Sequence, residues 1–235
     1  MIKENSMPYP IPVIKTILLF CLLTNSGAIA YAQKDSIYSG MEKFNIERFN
    51  KNKDPRTGTY IFTLEDETTI RQVETDKDYL EYTTHPDNYF EKRKSFYKKT
   101  GNIRFSNTLL YNFAIGIVRY YNQDGSIEKE IDADASYPVT WEMVVEKIKN
   151  EYGVDMLEKD RDMNMHPYKN LSRTEYSFPY YNVLFMTKEG KSYMFTLSGI
   201  NGIMLKKMND EGKVEIVNDP PQPTSGKGKS WSIFD

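Results

Sequence analysis

Few side chains in this sequence suit catalysis, and each is judged by its type and its spacing. His85 and His166 are the only histidines, and Cys21 is the only cysteine. A zinc centre draws on Cys, His, Asp and Glu at short fixed spacings, and neither HExxH nor CxxC occurs. A Ser-His-Asp hydrolase of the G-x-S-x-G type is excluded because that turn is missing. Gly190-Lys191-Ser192 and Gly228-Lys229-Ser230 copy the end of a phosphate-binding loop. Phe185 and Pro223 stand where that loop needs its first glycine. Asp160-Arg161-Asp162-Met163-Asn164 opens as a calcium loop does, with oxygens on alternate residues. Met165 then replaces the turn glycine and Leu171 the bidentate glutamate. Asp132-Ala133-Asp134 fails in the same way at Tyr137 and Met143. No catalytic set, metal or cofactor is therefore assigned.

What remains is surface chemistry. The chain carries 18 Tyr and 12 Phe, which favour half-buried pleated surfaces. Tyr120 and Tyr121 are the candidate aromatic binding residues, and Asp160 and Asp162 the candidate acidic ones.

The elements that must position them start after a leader-like segment. Lys3 and Lys15 precede the apolar run Ile17 to Leu23, and Ala30-Tyr31-Ala32 closes it with an A-x-A pattern. That layout predicts a secretory signal peptide over residues 1–32, cleaved before Gln33, with an apolar run too short for a stable span. Lys3, Glu4 and Lys15 leave with it, so the formal charge of −2 becomes −3. Such a balance gives no electrostatic case for nucleic acid or anionic membranes. Cys21 leaves too, so the exported chain must hold together by its core, without disulfides.

From residue 33 to 136 the pattern is strand, polar turn, strand. Thr59 to Leu64 alternates with period two and puts Tyr60, Phe62 and Leu64 on one face, and Glu65-Asp66-Glu67 turns it toward Ile70 to Val73. Phe96-Tyr97-Lys98-Lys99-Thr100-Gly101-Asn102-Ile103 aligns with Tyr120-Tyr121-Asn122-Gln123-Asp124-Gly125-Ser126-Ile127 as two copies of one hairpin unit. Asp124-Gly125 predicts a two-residue turn with positive φ at the glycine. From 137 to 218, Thr140 caps a helix whose Trp141, Val144, Val145, Ile148 and Tyr152 share one face, with a Val139–Val144 staple and a Gly153 stop. A polar loop and two strands follow, Tyr181 to Met186 and Ser192 to Leu197, then a glycine turn into Ile203-Met204-Leu205. Residues 219–235 form a Pro/Gly-rich tail ending in apolar Trp231-Ser232-Ile233-Phe234-Asp235.

The stretch Gly116 to Ile127 resembles the MORN-like repeat of bacterial antitoxin-type proteins: a glycine, an aromatic strand, then a turn glycine followed by an apolar residue. Val118 stands where that family often has tryptophan, and the likeness extends from about residue 90 to 134. The helix and glycine-turned hairpin resemble a PepSY-like half-domain. The fold expected is α+β, an antiparallel strand-turn repeat sheet followed by a helix packed on a small antiparallel sheet. The resemblance implies an immunity or antitoxin role, in which an exported, non-enzymatic protein of the periplasm or cell envelope binds and neutralises a toxin effector. The alternatives are a structural or ligand-binding envelope protein, and an envelope enzyme whose catalytic set is not recognisable.

Overall fold

Two meander sheets joined by one helix make up the computed structural model, which describes residues 42–159, 168–208 and 212–221. The element order runs α1 (Ile46–Asn52), β1 (Thr59–Thr63), β2 (Thr69–Glu74), β3 (Asp78–Thr84), β4 (Phe90–Tyr97), β5 (Ile103–Leu110), β6 (Phe113–Tyr121) and β7 (Ile127–Asp132). It continues with α2 (Trp141–Tyr152), β8 (Asn170–Glu175), β9 (Pro179–Met186), β10 (Ser192–Ser198), β11 (Met204–Met208) and β12 (Val214–Ile216). The first sheet pairs β1 to β7 in sequence order and the second pairs β8 to β12 likewise, every pair antiparallel. The expected α+β architecture is what the chain forms. Among the described residues, no helix is long and apolar enough to cross a membrane.

Local chemistry explains α2 fully. The Thr140 hydroxyl accepts a hydrogen bond from Met143 N–H, Gly153 ends the helix at φ 69°, and Val144, Val145 and Ile148 are buried. The helix presses that stripe onto Leu171, Tyr181, Val183, Phe185, Phe195 and Leu197 of the second sheet. Leu110, Phe90, Phe113 and Ile115, from one end of the first sheet, join the same core. At the other end, α1 is capped by Asn45 and buries Phe49 beside Phe44, Tyr79, Phe96 and Ile103.

Arg173 on β8 locks the second sheet to the first. Its side chain is 5% exposed, and Nη1 donates to Asp134 Oδ1 at 2.5 Å and to the carbonyls of Ala133 and Ala114. Nη2 donates to the Tyr181 hydroxyl at 3.0 Å, which in turn donates to the Val139 carbonyl at 2.7 Å. The rings of Phe113, Tyr137 and Tyr181 surround the guanidinium at 4.3–5.2 Å. A buried cation survives there because Nη1 and Nη2 have acceptors, one of them a carboxylate, and the walls are π-faces, although Nε–H has no partner among the described residues.

The turns correct one expectation. Gly125 does have positive φ, 85°, but the loop holds three residues rather than two. Gly125 N–H donates to Asn122 C=O, and Asn122 N–H donates to Ser126 C=O. Asp124 keeps negative φ, which rules out the two-residue turn with both central residues left-handed. The Asp124 carboxylate instead accepts from the Ser126 hydroxyl and N–H, and both bonds hold its pKa below the usual carboxylate range. The same two backbone bonds close Leu64 to Thr68 and Thr187 to Lys191. Gly190 takes the left-handed position in one; Glu67, at φ 65°, takes it in the other.

Candidate functional site

Strand alternation sorts the first sheet into two faces. Tyr60, Tyr79, Phe96, Ile103, Phe90, Leu110, Phe113, Ile115 and Tyr121 lie on the face that packs against α1 at one end and against α2 and the second sheet at the other. Neither core cluster includes a residue of the opposite face.

That opposite face is ordered into cross-strand rows by the register. One row runs Thr59, Val73, Leu80, Ser95, Phe105, Tyr120, Lys129. The next runs Ile61, Arg71, Tyr82, Arg93, Asn107. The tyrosine in each row meets a cation. Arg71 Cζ lies 4.0 Å from the Tyr82 ring centre and Arg93 Cζ 5.8 Å from it. Lys129 stands 5.9 Å from the Tyr120 ring, and Phe105 packs edge-on against Tyr120 at 5.2 Å. At the end of the strands Arg104 covers Tyr97 at 5.6 Å and grips both Asp78 oxygens, at 2.8 and 2.6 Å. The bond to Asp78 raises the already high pKa of Arg104, against a smaller opposing effect of burial. Arg93 is likewise bonded by Glu91. Ile61, 58% exposed, closes the second row at its outer edge.

The arrangement suits recognition. Side chains fixed by a seven-stranded sheet lose little entropy on binding, and rings covered by arginine stems offer apolar area with charge on top. Seven strands about 4.8 Å apart span about 29 Å. With two rows about 7 Å apart along each strand, the flat face measures roughly 400 Å². That is about half of the ~800 Å² each partner contributes to a standard interface.

The residues singled out from sequence are distributed differently. Tyr120 sits in the first row of this face. Tyr121 turns to the other side, packs on the core beside α1, and places its hydroxyl 3.4 Å from Ser106 Oγ. Consecutive strand residues cannot share a face, so the two tyrosines do not form one site. Asp160, Asp162 and His166 lie outside the described residues. His85 staples a loop: Nε2 meets the Asp66 carbonyl at 2.9 Å and Nδ1 accepts from Asp87 N–H at 3.2 Å. Among the described residues, no group of three or more His, Cys, Asp or Glu side chains is placed to hold a metal ion.

Two open depressions flank the sheet. One, of about 720 Å³, lies between α1 and β1 and is lined by Asn52, Asp54, Arg56 and Tyr60. The other, of about 290 Å³, sits where Tyr89 and Tyr111 stack at 4.2 Å, beside Lys159, Lys169 and Glu91. The Tyr111 hydroxyl is committed to the Met156 carbonyl at 2.6 Å, and burial pushes its pKa far up, so it is not poised to transfer a proton near neutrality.

The aromatic-cationic rows escaped sequence reading because they are a product of register. Arg71, Tyr82, Arg93 and Asn107 are distant in the chain, and only strand pairing puts them side by side. Leu80-Glu81-Tyr82 and Val118-Arg119-Tyr120 carry the alternation that signals a two-faced strand, without saying which strands are neighbours. No family model matches this chain, and no curated protein and no solved structure matches it.

Proposed function

We propose that this chain is an exported protein of the immunity or antitoxin type that neutralises a toxin by binding it, without turnover. The observation that carries the reading is the face of the first sheet turned away from both helices, where Tyr82, Tyr97 and Tyr120 each stand against an arginine or lysine. Its partner is a protein presenting acidic side chains within an apolar surround. Arg71, held over the Tyr82 ring, offers the cation for that charge, and Phe105, Tyr120 and Ile61 supply the area that excludes water. The MORN-like resemblance at 116–127 supports the immunity role, and the leader pattern of residues 1–32 supports a periplasmic or envelope location.

The mechanism is occlusion. A stiff sheet covering a toxin's active or docking surface inhibits one toxin per molecule, so protection depends on dose. The test is survival of toxin-challenged cells expressing graded amounts of wild type, Arg71→Glu, Arg93→Glu and, as control, Lys206→Glu on the second sheet. The reading expects protection that saturates near equal amounts, needs several-fold more protein in the first two variants and is unchanged in the control. An enzyme would protect at trace amounts, destroying many equivalents of toxin. An envelope structural protein would give no protection in any variant.

A further inference from the structure

The first sheet is guarded at one edge and open at the other. β7 carries Glu128, Lys129, Glu130 and Asp132, the kind of charge by which natural edges refuse further strands. β1, Thr59-Tyr60-Ile61-Phe62-Thr63, has no charge, no proline and no bulge. The bonds at its two ends fix which way its backbone groups point. Glu74 N–H donates to the Gly58 carbonyl and Leu64 N–H to the Thr68 carbonyl, so positions 58, 60, 62 and 64 bond to β2. Thr59, Ile61 and Thr63 therefore turn N–H and C=O outward. The Thr59 carbonyl accepts from Asp54 N–H at 2.9 Å, and among the described residues nothing takes up the outward groups of Ile61 and Thr63. The 720 Å³ depression is lined by both Tyr60 and Ile61, which point to opposite faces, so it runs along this edge.

We infer that a second copy of this chain covers the edge, its β1 running antiparallel to the first about a two-fold axis at Phe62.

That axis sets Ile61 of each copy opposite Thr63 of the other. Each such pair exchanges two N–H···O=C bonds, so the four open groups of each strand are all satisfied. Asp54, seated on Thr59, ends the pairing there. Between the two bonded pairs Phe62 meets Phe62, and on either side Tyr60 meets the exposed Leu64. The ends match in charge. The acidic turn Glu65-Asp66-Glu67 after β1 of one copy comes beside the loop before β1 of the other, and the axis makes this contact twice. That loop carries Arg56, which Asp54 holds at 3.2 Å while 87% of its side chain stays exposed. A head-to-tail contact of β1 with β7 would grow without closing, whereas the two-fold pair closes on itself. The contact is smaller than a standard interface, which places the dimer in the micromolar range. The pairing lies in the plane of the sheet and leaves both its faces free, so the inference does not rest on the binding role.

The test is sedimentation of the full chain at micromolar concentration, which is expected to give twice the mass of one copy. Thr63→Pro removes an outward N–H that β2 does not use, and is expected to abolish the dimer with the far-ultraviolet circular dichroism unchanged. Glu130 points outward at the other edge, since Ala133 N–H bonds the Gly116 carbonyl, and Glu130→Pro is expected to leave the dimer intact. Cys21 is the only cysteine, so Phe62→Cys with Cys21→Ser puts one thiol on the axis, its Cβ about 4.5–5.5 Å from its twin. Mild oxidation is expected to cross-link that variant and to leave Glu130→Cys, in the same background, largely uncross-linked; this arm decides where Thr63→Pro fails to fold. A monomer throughout the micromolar range, a dimer that persists in folded Thr63→Pro, or Phe62→Cys cross-linking no faster than Glu130→Cys overturns the inference. Assemblies larger than two that Glu130→Pro disperses overturn it in favour of head-to-tail pairing of β1 with β7.

Discussion

Replacing Glu67 by glycine is expected to stabilise the protein, and replacing Gly190 by alanine to destabilise it by a comparable amount. Both residues hold the left-handed position of the same three-residue loop, at φ 65° and 80°. A side chain there costs about 1–2 kcal/mol, because Cβ crowds the following carbonyl. Glycine returns part of that gain through the extra freedom of its unfolded chain, about 0.4–1 kcal/mol. Glu67 is exposed, so the surface interactions of its carboxylate are worth only a few tenths of a kcal/mol. The net expectation for Glu67→Gly is a gain of about 0.5–1 kcal/mol. At Gly190 a new Cβ would meet no atom within 4 Å, so the cost of Gly190→Ala is conformational alone, about 1 kcal/mol. For a chain of this size each kcal/mol moves Tm by about 2–4 °C. Urea titration followed by circular dichroism should give opposite shifts in midpoint with unchanged slope. A loss of stability in Glu67→Gly, or no effect of Gly190→Ala, would refute the turn assignment.

Three further outcomes are expected. Arg173→Met should cost about 3 kcal/mol in urea unfolding, because it strands Asp134 and two carbonyls that the guanidinium now satisfies; a loss under about 1 kcal/mol would mean that Arg173 does not lock the sheets. Burial pushes the Tyr181 hydroxyl up to about 12, with Tyr111 and Tyr137 also raised, so these side chains stay protonated in the fold after unfolded tyrosine has ionised. Stability should therefore hold below about pH 10 and fall above it, by up to about 1.4 kcal/mol per pH unit per tyrosine, and a spectrophotometric titration showing all tyrosines ionising together in folded protein would contradict this. Gly125→Val should lower Tm by several degrees, since a β-branched residue suits φ 85° worst of all; an unchanged Tm would place the β6–β7 turn wrongly.

How far the chain could be read depended on how local each signal was. The second helix was legible to the residue, because its cap, staple, apolar stripe and glycine stop all lie within 15 residues of sequence. The hairpin at Gly125 was legible in place but not in length, because an Asp-Gly pair does not say which carbonyl closes the loop. Strand β8, within Asn170-Leu171-Ser172-Arg173-Thr174-Glu175, read as a polar loop: only Leu171 is apolar, and its second inward residue is a cation made buriable by Asp134, Ala133 and Tyr181 from elsewhere. Strand β3 was hidden because it carries apolar residues on both faces, with Tyr79 buried on one and Leu80 and Tyr82 half-buried on the other, which erases period two. Helix α1 is seven residues long with one buried side chain, too short for a stripe. The candidate face suffered most, since Tyr120 was legible but its neighbours Phe105 and Lys129 are supplied by register.

The most direct test of the binding account is a titration of protection against protein supplied, in toxin-challenged cells, for wild type and the Arg71→Glu/Arg93→Glu double variant. The account predicts that wild type protects in proportion to its amount and saturates near one molecule per toxin. It predicts that the folded double variant needs on the order of thirtyfold more, equivalent to about 2 kcal/mol of lost binding. Full protection at trace amounts, or a folded double variant indistinguishable from wild type, would contradict it.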